Sequence, residues 1–176
     1  MALLEWTEAL VLGEAQMDAT HREFVECLNA LGEADDGTIG PELDRFIAHT
    51  ESHFQDENER MAATGFPPSH CHLNEHEQVL KICREVRTMV ADGKLHVGKV
   101  LANELAPWFK NHAATMDSML AYWLKLDEPG RVEALRLAAE QQAAMAAQAD
   151  ASHACGPGCA HEAEPAAEPQ AVASRA

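Results

Sequence analysis

The sequence is poor in aromatic residues, in positive charge and in long apolar runs. Phe, Trp and Tyr make up 5% of the 176 residues, with a single Tyr, although hydrophobic residues in total reach 47%. That is enough for one domain of ordinary size to bury a core, with length left for a tail. Only 13 Lys and Arg stand against 29 Asp and Glu, a formal net charge of -16. No basic stripe can neutralise phosphates, which sets aside nucleic acid and anionic membrane surfaces as partners. No apolar run approaches the roughly 18 to 20 residues of a membrane span. The opening Met1 to Trp6 also lacks the basic region and cleavage site of a secretory leader, so a cytoplasmic protein is expected. Five Cys, an odd number without a dense framework, fit reduced thiols better than structural disulfides. No stretch alternates apolar and polar residues as a half-buried strand does. What the chain does have is ten His, and they are the excess to explain.

Gly and Pro divide the chain into segments of helical length. Segment A runs from about Asp18, a good N-cap, to Leu31, with Phe24, Leu28 and Leu31 on one stripe and His21 among them. Segment B starts near Pro41, a first-turn proline, and ends near Thr64. Its inner face carries Leu43, Phe46, Ile47, Thr50, Phe54 and Met61, together with His53 and Glu57. Segment C follows the Pro67-Pro68 break from Ser69, and Val79, Leu80, Cys83, Val86 and Val90 are in phase with His72 and His76. Segment D spans about Val97 to Leu126, with Leu101, Leu105, Trp108, Phe109, Met116, Leu120 and Trp123 in phase with His112. Four such helices with short connections predict an all-α, up-down-up-down four-helix bundle over residues 1–127. Pro107 removes a hydrogen bond inside segment D and predicts a bend just before Trp108. Residues 128–176 form an Ala-rich extension, expected to be helical to about residue 150 and disordered beyond it.

The polar residues on the apolar faces carry the chemistry: His21, His53-x-x-x-Glu57, His72-x-x-x-His76 and His112-x-x-x-x-Asp117. Positions four apart on a helix differ by only about 40° and about 6 Å along the axis, so two such side chains can converge on one metal or straddle two. His112 and Asp117 are five apart, about 140° in a regular helix. Both reach one site only if the helix is distorted, and a π-bulge near residues 112–117 is the predicted form. Five imidazoles and two carboxylates buried without partners would cost several kcal/mol for each unpaired charge. Metal binding resolves that cost. Seven ligands are too many for one tetrahedral zinc, which takes about four. Two six-coordinate ions, sharing both carboxylates and one solvent-derived bridge and capped by the five imidazoles, keep a single position open for a small ligand.

These motifs resemble a known family. Asp18-Ala-Thr-His21, His53-Phe54-x-x-Glu57-x-x-x-Met61, the Gly65-Phe66-Pro67 turn, His72-x-x-x-His76 and Trp108-Phe-x-x-His112-x-x-x-x-Asp117 are similar to the hemerythrins, in particular the bacterial ones, over about residues 3–126. The resemblance implies two Fe ions joined by an oxo or hydroxo bridge. One would be held by His72, His76 and His112, the other by His21 and His53, and both by Glu57 and Asp117. It implies reversible O2 binding for storage, delivery or scavenging, with O2 held as hydroperoxide on the five-coordinate iron, rather than an enzyme. The alternatives it leaves are a di-iron oxidase, peroxidase or nitric oxide reductase, and an O2 or redox sensor. Leu28, Phe54, Trp108 and Met116 are the expected lining of a dry O2 pocket. The expected partner is O2, the chain being a monomer or small oligomer. The sequence names no protein recipient.

The chain departs from the family pattern at three positions. A second acidic residue often follows the bridging Glu, and here the position is Asn58, which is not a ligand. His49 stands where an aromatic is common, and reads as either packed behind a ligand or exposed. Pro107 beside Trp108 is unusual. His70 and His96 read as surface residues, and Cys27, Cys71 and Cys83 as packed or incidental thiols, Cys71 being open to oxidation beside His72. In the tail, His153, Cys155, Cys159 and His161 flank a Gly-Pro-Gly turn and offer donors for one tetrahedral Zn2+ or a soft Cu(I). The competing reading there is a low-complexity tail without metal.

Overall fold

Helices form wherever apolar residues recur every three or four positions. A computed structural model, describing residues 2–67 and 69–153, gives a 3-10 turn (Glu8–Leu10) followed by α1 (Ala15–Glu33), α2 (Ile39–Thr64), α3 (Ser69–Ala91) and α4 (His96–His112). A π-helical turn (Ala113–Asp117) leads from α4 into α5 (Ser118–Lys125), and α6 (Glu128–His153) follows. The described residues contain no strand. α4, the π-turn and α5 are one uninterrupted rod and serve as the fourth member of an up-down-up-down bundle, in which α1 and α3 each pack against α2 and α4. None of the described helices is long and apolar enough to cross a membrane.

Helix ends follow local chemistry, with one correction to the expected caps. α1 begins before Asp18: the Glu14 carboxylate caps it by accepting from the Met17 N–H at 2.8 Å. Asp18 lies inside the first turn and accepts from the N–H groups of Leu12 (2.7 Å) and Gly13 (3.0 Å), pinning the incoming chain. Pro41 is in the first turn of α2 as expected. That helix stops at Gly65 (φ 66), whose left-handed backbone lets the Phe66 N–H reach the Met61 carbonyl at 3.1 Å. Pro107 does not end or divide its helix: α4 runs through it to His112, and the π-turn expected near residues 112–117 follows at Ala113–Asp117.

Two apolar clusters fill the bundle. The larger contains Phe24, Leu28, Leu43, Phe46, Phe54, Phe109 and Ala113, and the smaller contains Met17, Met61, Phe66, Leu120 and Trp123. Along α1, His21 falls between Met17 and Phe24. Along α2, Glu57 falls between Phe54 and Met61, and on the fourth rod Asp117 falls between Ala113 and Leu120. The polar residues therefore occupy the level of the bundle between its two apolar plugs.

The first compact unit runs from Met1 to Leu135, and the described part of the second is the remainder of α6. α6 occupies the first part of the extension and runs to His153. The His153 side chain and the proposed donors Cys155, Cys159 and His161 lie outside the described residues.

Candidate metal centre

All seven residues expected to act as ligands are buried, none more than 3% exposed. α1 supplies His21, α2 supplies His53 and Glu57 one turn apart, and α3 supplies His72 and His76 one turn apart. His112 ends α4 and Asp117 ends the π-turn. Their donor atoms form two groups able to hold an ion, one of Glu57, His72, His76, His112 and Asp117 and one of His21, His53 and Glu57.

The two carboxylates link these groups. Glu57 places Oε1 3.1 Å from His53 Nε2 and 3.5 Å from His21 Nε2, while its Oε2 is 3.5 Å from His72 Nε2 and 3.4 Å from His76 Nε2. Asp117 directs Oδ2 toward His21 Nε2 (3.3 Å) and Oδ1 toward His72 Nε2 (3.0 Å) and His112 Nε2 (3.2 Å). On the three-histidine side, His112 Nε2 is 3.1 Å from His72 Nε2 and 3.2 Å from His76 Nε2. A neutral imidazole has one N–H and one lone pair, so three nitrogens meeting at one point cannot all be satisfied by each other.

The hydrogen-bond account confirms that the protein alone does not complete this cluster. Both nitrogens of His21, Nδ1 of His53 and of His72, Oε2 of Glu57 and both oxygens of Asp117 are buried without a hydrogen bond. Buried Thr50 shows the contrast, since its hydroxyl donates to the Phe46 carbonyl at 2.8 Å. Orphaned buried groups in such number are rare in native proteins and expensive. Cations bound by the lone pairs of His21 Nε2, Glu57 Oε2 and the two Asp117 oxygens would remove the cost at those atoms, so the residues fit a metal pair by their own chemistry.

Charge is distributed accordingly. Burial opposes ionisation of Asp117, as does neighbouring Glu57, yet the imidazoles of His112 and His72 beside it hold it down at about 2. Glu57 is likewise held well below the usual carboxylate range, its burial outweighed by His53, His21 and His72. Burial works against a charged His72, but Asp117 and Glu57 raise it to about 9. His76, for which burial dominates, is pushed down to about 4 and stays neutral. Without metal, protons on imidazole supply part of the positive charge the carboxylates demand.

Aromatic rings pack around the cluster. Phe54 stacks on His76 with centroids 3.8 Å apart and planes within 3°. Trp108 stacks on His112 at 4.6 Å and 24°, and donates its indole N–H to Glu75 Oε2 at 3.0 Å. Both were expected beside the site. Met116 and His72 share a cavity of about 30 Å³ with Phe66, Cys71 and Met119. Leu28 is fully buried in the larger apolar cluster. Phe109, read from the sequence only as core, meets the edge of His21 at 5.1 Å and stacks on Phe24 at 4.3 Å. Its position three residues before His112 was the available signal.

Of two polar neighbours, Asn58 is marked by the sequence only as a departure from the family pattern, and Glu75 is not marked at all. Asn58 Oδ1 is 2.9 Å from His76 Nδ1, and Glu75 anchors Trp108. Neither lies on an apolar stripe. His49 is half-buried, with Nδ1 3.7 Å from the Glu23 carboxylate and its ring 5.9 Å from that of His53. His70 and His96 are exposed as expected. Cys27 and Cys83 are buried, Cys71 exposed, and all three are free thiols.

Comparison with known proteins agrees with this arrangement. A family model described as the hemerythrin HHE cation binding domain matches residues 12–124. The bacteriohemerythrin of Ralstonia nicotianae is 49% identical over 124 residues, covering 70% of this chain and 90% of that protein. That of Stenotrophomonas maltophilia is 32% identical over 129 residues, covering 71% and 84%. A crystal structure of wild-type hemerythrin shares the fold with a TM-score of 0.66 at 23% identity, over 71% of this chain and all of the other.

Proposed function

The chain belongs to the hemerythrin family, and we propose that it binds O2 reversibly at a non-haem di-iron centre held by His21, His53, Glu57, His72, His76, His112 and Asp117. The observation that carries the reading is the double reach of the carboxylates. Glu57 offers one oxygen to His21 and His53 and the other to His72 and His76, and Asp117 divides between His21 and the His72–His112 pair. Such side chains suit two ions sharing both carboxylates, with His72, His76 and His112 on one ion and His21 and His53 on the other. When bound, the iron pair supplies the electrons that hold O2 and recovers them on its release.

The residues around the site support binding rather than turnover. Ferritin-like di-iron proteins use four Glu and two Glu-x-x-His histidines. Here only two carboxylates accompany five imidazoles, which donate less negative charge and favour the reduced metal. Phe24, Phe54 and Phe109 are at most 1% exposed and pack against the rings of His53, His76 and His21, which keeps water from them. A site so enclosed gives a bound ligand few proton donors, and proton delivery is what makes reduction of O2 irreversible.

The test is spectroscopic. The full chain, loaded with iron(II) without air, should gain a visible charge-transfer band on exposure to O2 and lose it on purging with argon, through repeated cycles. Immediate, irreversible conversion to the ferric spectrum would overturn the binding reading in favour of an oxidase or a sensor.

A further inference from the structure

One side chain of α2 does for His76 what no side chain is seen to do for its neighbours. Nδ1 of His21, His53 and His72 has no hydrogen-bond partner, whereas Nδ1 of His76 faces the Asn58 amide oxygen at 2.9 Å. α2 thereby carries two interleaved pairs. His53 and Glu57, four apart, present donors to the centre. Phe54 and Asn58, each one residue further on, grip His76 of α3: Phe54 covers the face of the ring at 3.8 Å, and Asn58 meets its edge. Stacking fixes the plane of the imidazole, and the edge contact fixes its rotation within that plane.

The contact also determines where the proton resides. A histidine that binds metal through Nε2 must keep a lone pair there, so its proton belongs on Nδ1 and the amide must present oxygen. An amide turned the other way, donating NH2 to Nδ1, would force a proton onto Nε2, which faces His112 Nε2 at 3.2 Å and Glu57 Oε2 at 3.4 Å. The acceptor is moreover neutral. Histidine ligands often donate to a carboxylate, which draws the proton away and makes the imidazole a stronger, more anionic donor. An amide oxygen orients the ring without that charge.

We propose that Asn58 is a positioning residue of the metal centre: its amide oxygen holds the His76 proton on Nδ1, aims the Nε2 lone pair at the iron, and by its neutrality biases that iron toward the ferrous state. The inference rests on the di-iron reading, but its measurements do not need O2. Asn58 is half-buried and borders an open groove with Glu51, Glu59 and Arg84, so a changed side chain there has room and solvent.

The test uses the full chain loaded anaerobically with iron(II), as wild type, Asn58→Leu and Asn58→Asp. Affinity is measured by competition with a chromogenic iron(II) chelator, and the reduction potential by mediated titration. Asn58→Leu, without an acceptor, should bind iron about 10- to 100-fold more weakly. Asn58→Asp restores an acceptor, so its affinity should return to within a few-fold of wild type while its potential falls. A merely structural role would weaken both variants and leave the potential unmoved. Wild-type affinity in Asn58→Leu, or an unchanged potential in Asn58→Asp, overturns the proposal. The Asp variant alone decides it if the Leu variant does not fold. A wild-type chain that takes up no iron would overturn the site itself. One that binds iron with these variant effects but shows no reversible O2 band would overturn only the O2 reading.

Discussion

Asp117 Oδ1 lies 3.2 Å from His112 Nε2, although the two stand five positions apart along one continuous helical rod. In a regular α-helix that spacing puts side chains about 140° apart, on different faces. The π-turn at Ala113–Asp117 takes up the extra residue and returns Asp117 to the face of His112. It also keeps Leu120 and Trp123 buried beyond it, so the core continues in phase.

A deletion tests this. Removing exposed Ala114 leaves His112 and the carboxylate four apart, a spacing at which a plain α-helix presents both to the same side. The shortened chain should fold and take up metal with nearly unchanged stoichiometry. Removing exposed Asn103 instead turns His112 by about 100° relative to Leu101 and Ala102 upstream. That variant should lose metal uptake and much of its stability. Metal analysis and thermal unfolding of the two deletions would show the difference, and equal damage in both would mean the π-turn does more than absorb a residue.

The candidate centre was legible in the sequence because its proposed ligands share the helical stripes of the core, where buried His, Glu and Asp stand out against Phe, Leu and Val. The same logic foresaw the π-turn, since five-residue spacing conflicts with a shared face. It failed where the informative residue lies off the stripe. Asn58 stands out in the sequence only as a departure from the family pattern and Glu75 not at all, because their partners, His76 on α3 and Trp108 on α4, come from other helices. The cap of α1 was misread for a related reason. Asp18 has the right side chain for a cap, but Glu14 reaches the Met17 N–H first, and only the path of residues 12–14 shows which carboxylate is free to do so.

The stability of the metal-free chain should peak near neutral pH and decline on both sides. His72 is raised from 6.5 to about 9. Its contribution is therefore complete below 6.5 and is lost as pH rises through about 9. His76, lowered from 6.5 to about 4, and Asp117, lowered from 3.8 to about 2, contribute in the opposite sense. Their contributions are complete above 6.5 and 3.8 and are lost as pH falls through about 4 and about 2. Bound metal replaces the proton on His72, so loading should remove the alkaline decline and steepen the acid one, where protons compete for the ligands. Melting temperature against pH, with and without metal, reports both limbs. A metal-free profile that stays flat from 6.5 to 9 would contradict the assignment of a proton to His72.

Phe54 should matter to stability as well as to the site. It is 1% exposed and touches His53, His76 and Trp108 by ring contacts. Truncation to Ala leaves a cavity against an imidazole that must remain fixed, so Phe54→Ala should cost about 3 to 5 kcal/mol in denaturant unfolding. Phe54→Leu preserves most of the volume and should cost well under half of that. If Phe54→Leu is as stable as wild type, the stacked ring on His76 contributes little beyond filling space, and if it is no more stable than Phe54→Ala, the ring itself rather than its volume is what counts.

Trp108 offers the sharpest test of the dry site. It covers the outer face of His112, is half-buried, and is fixed from outside by its hydrogen bond to Glu75. Trp108→Phe retains an apolar ring over the imidazole and gives up only the indole N–H, so the O2-dependent colour should persist for nearly as long as in wild type. Trp108→Glu removes the cover and sets a second carboxylate beside Glu75. Repulsion between the two should push the new side chain aside and admit water along the His112 edge, where protons can then arrive. A barrier lower by about 1.4 kcal/mol shortens the lifetime of the colour tenfold, and a loss of at least that order is expected for the Glu variant at equal iron content. Equal lifetimes for Trp108→Phe and Trp108→Glu would mean that water reaches the centre by another path. The next side chains to vary would then be Met116 and Met119, which border the small cavity beside His72.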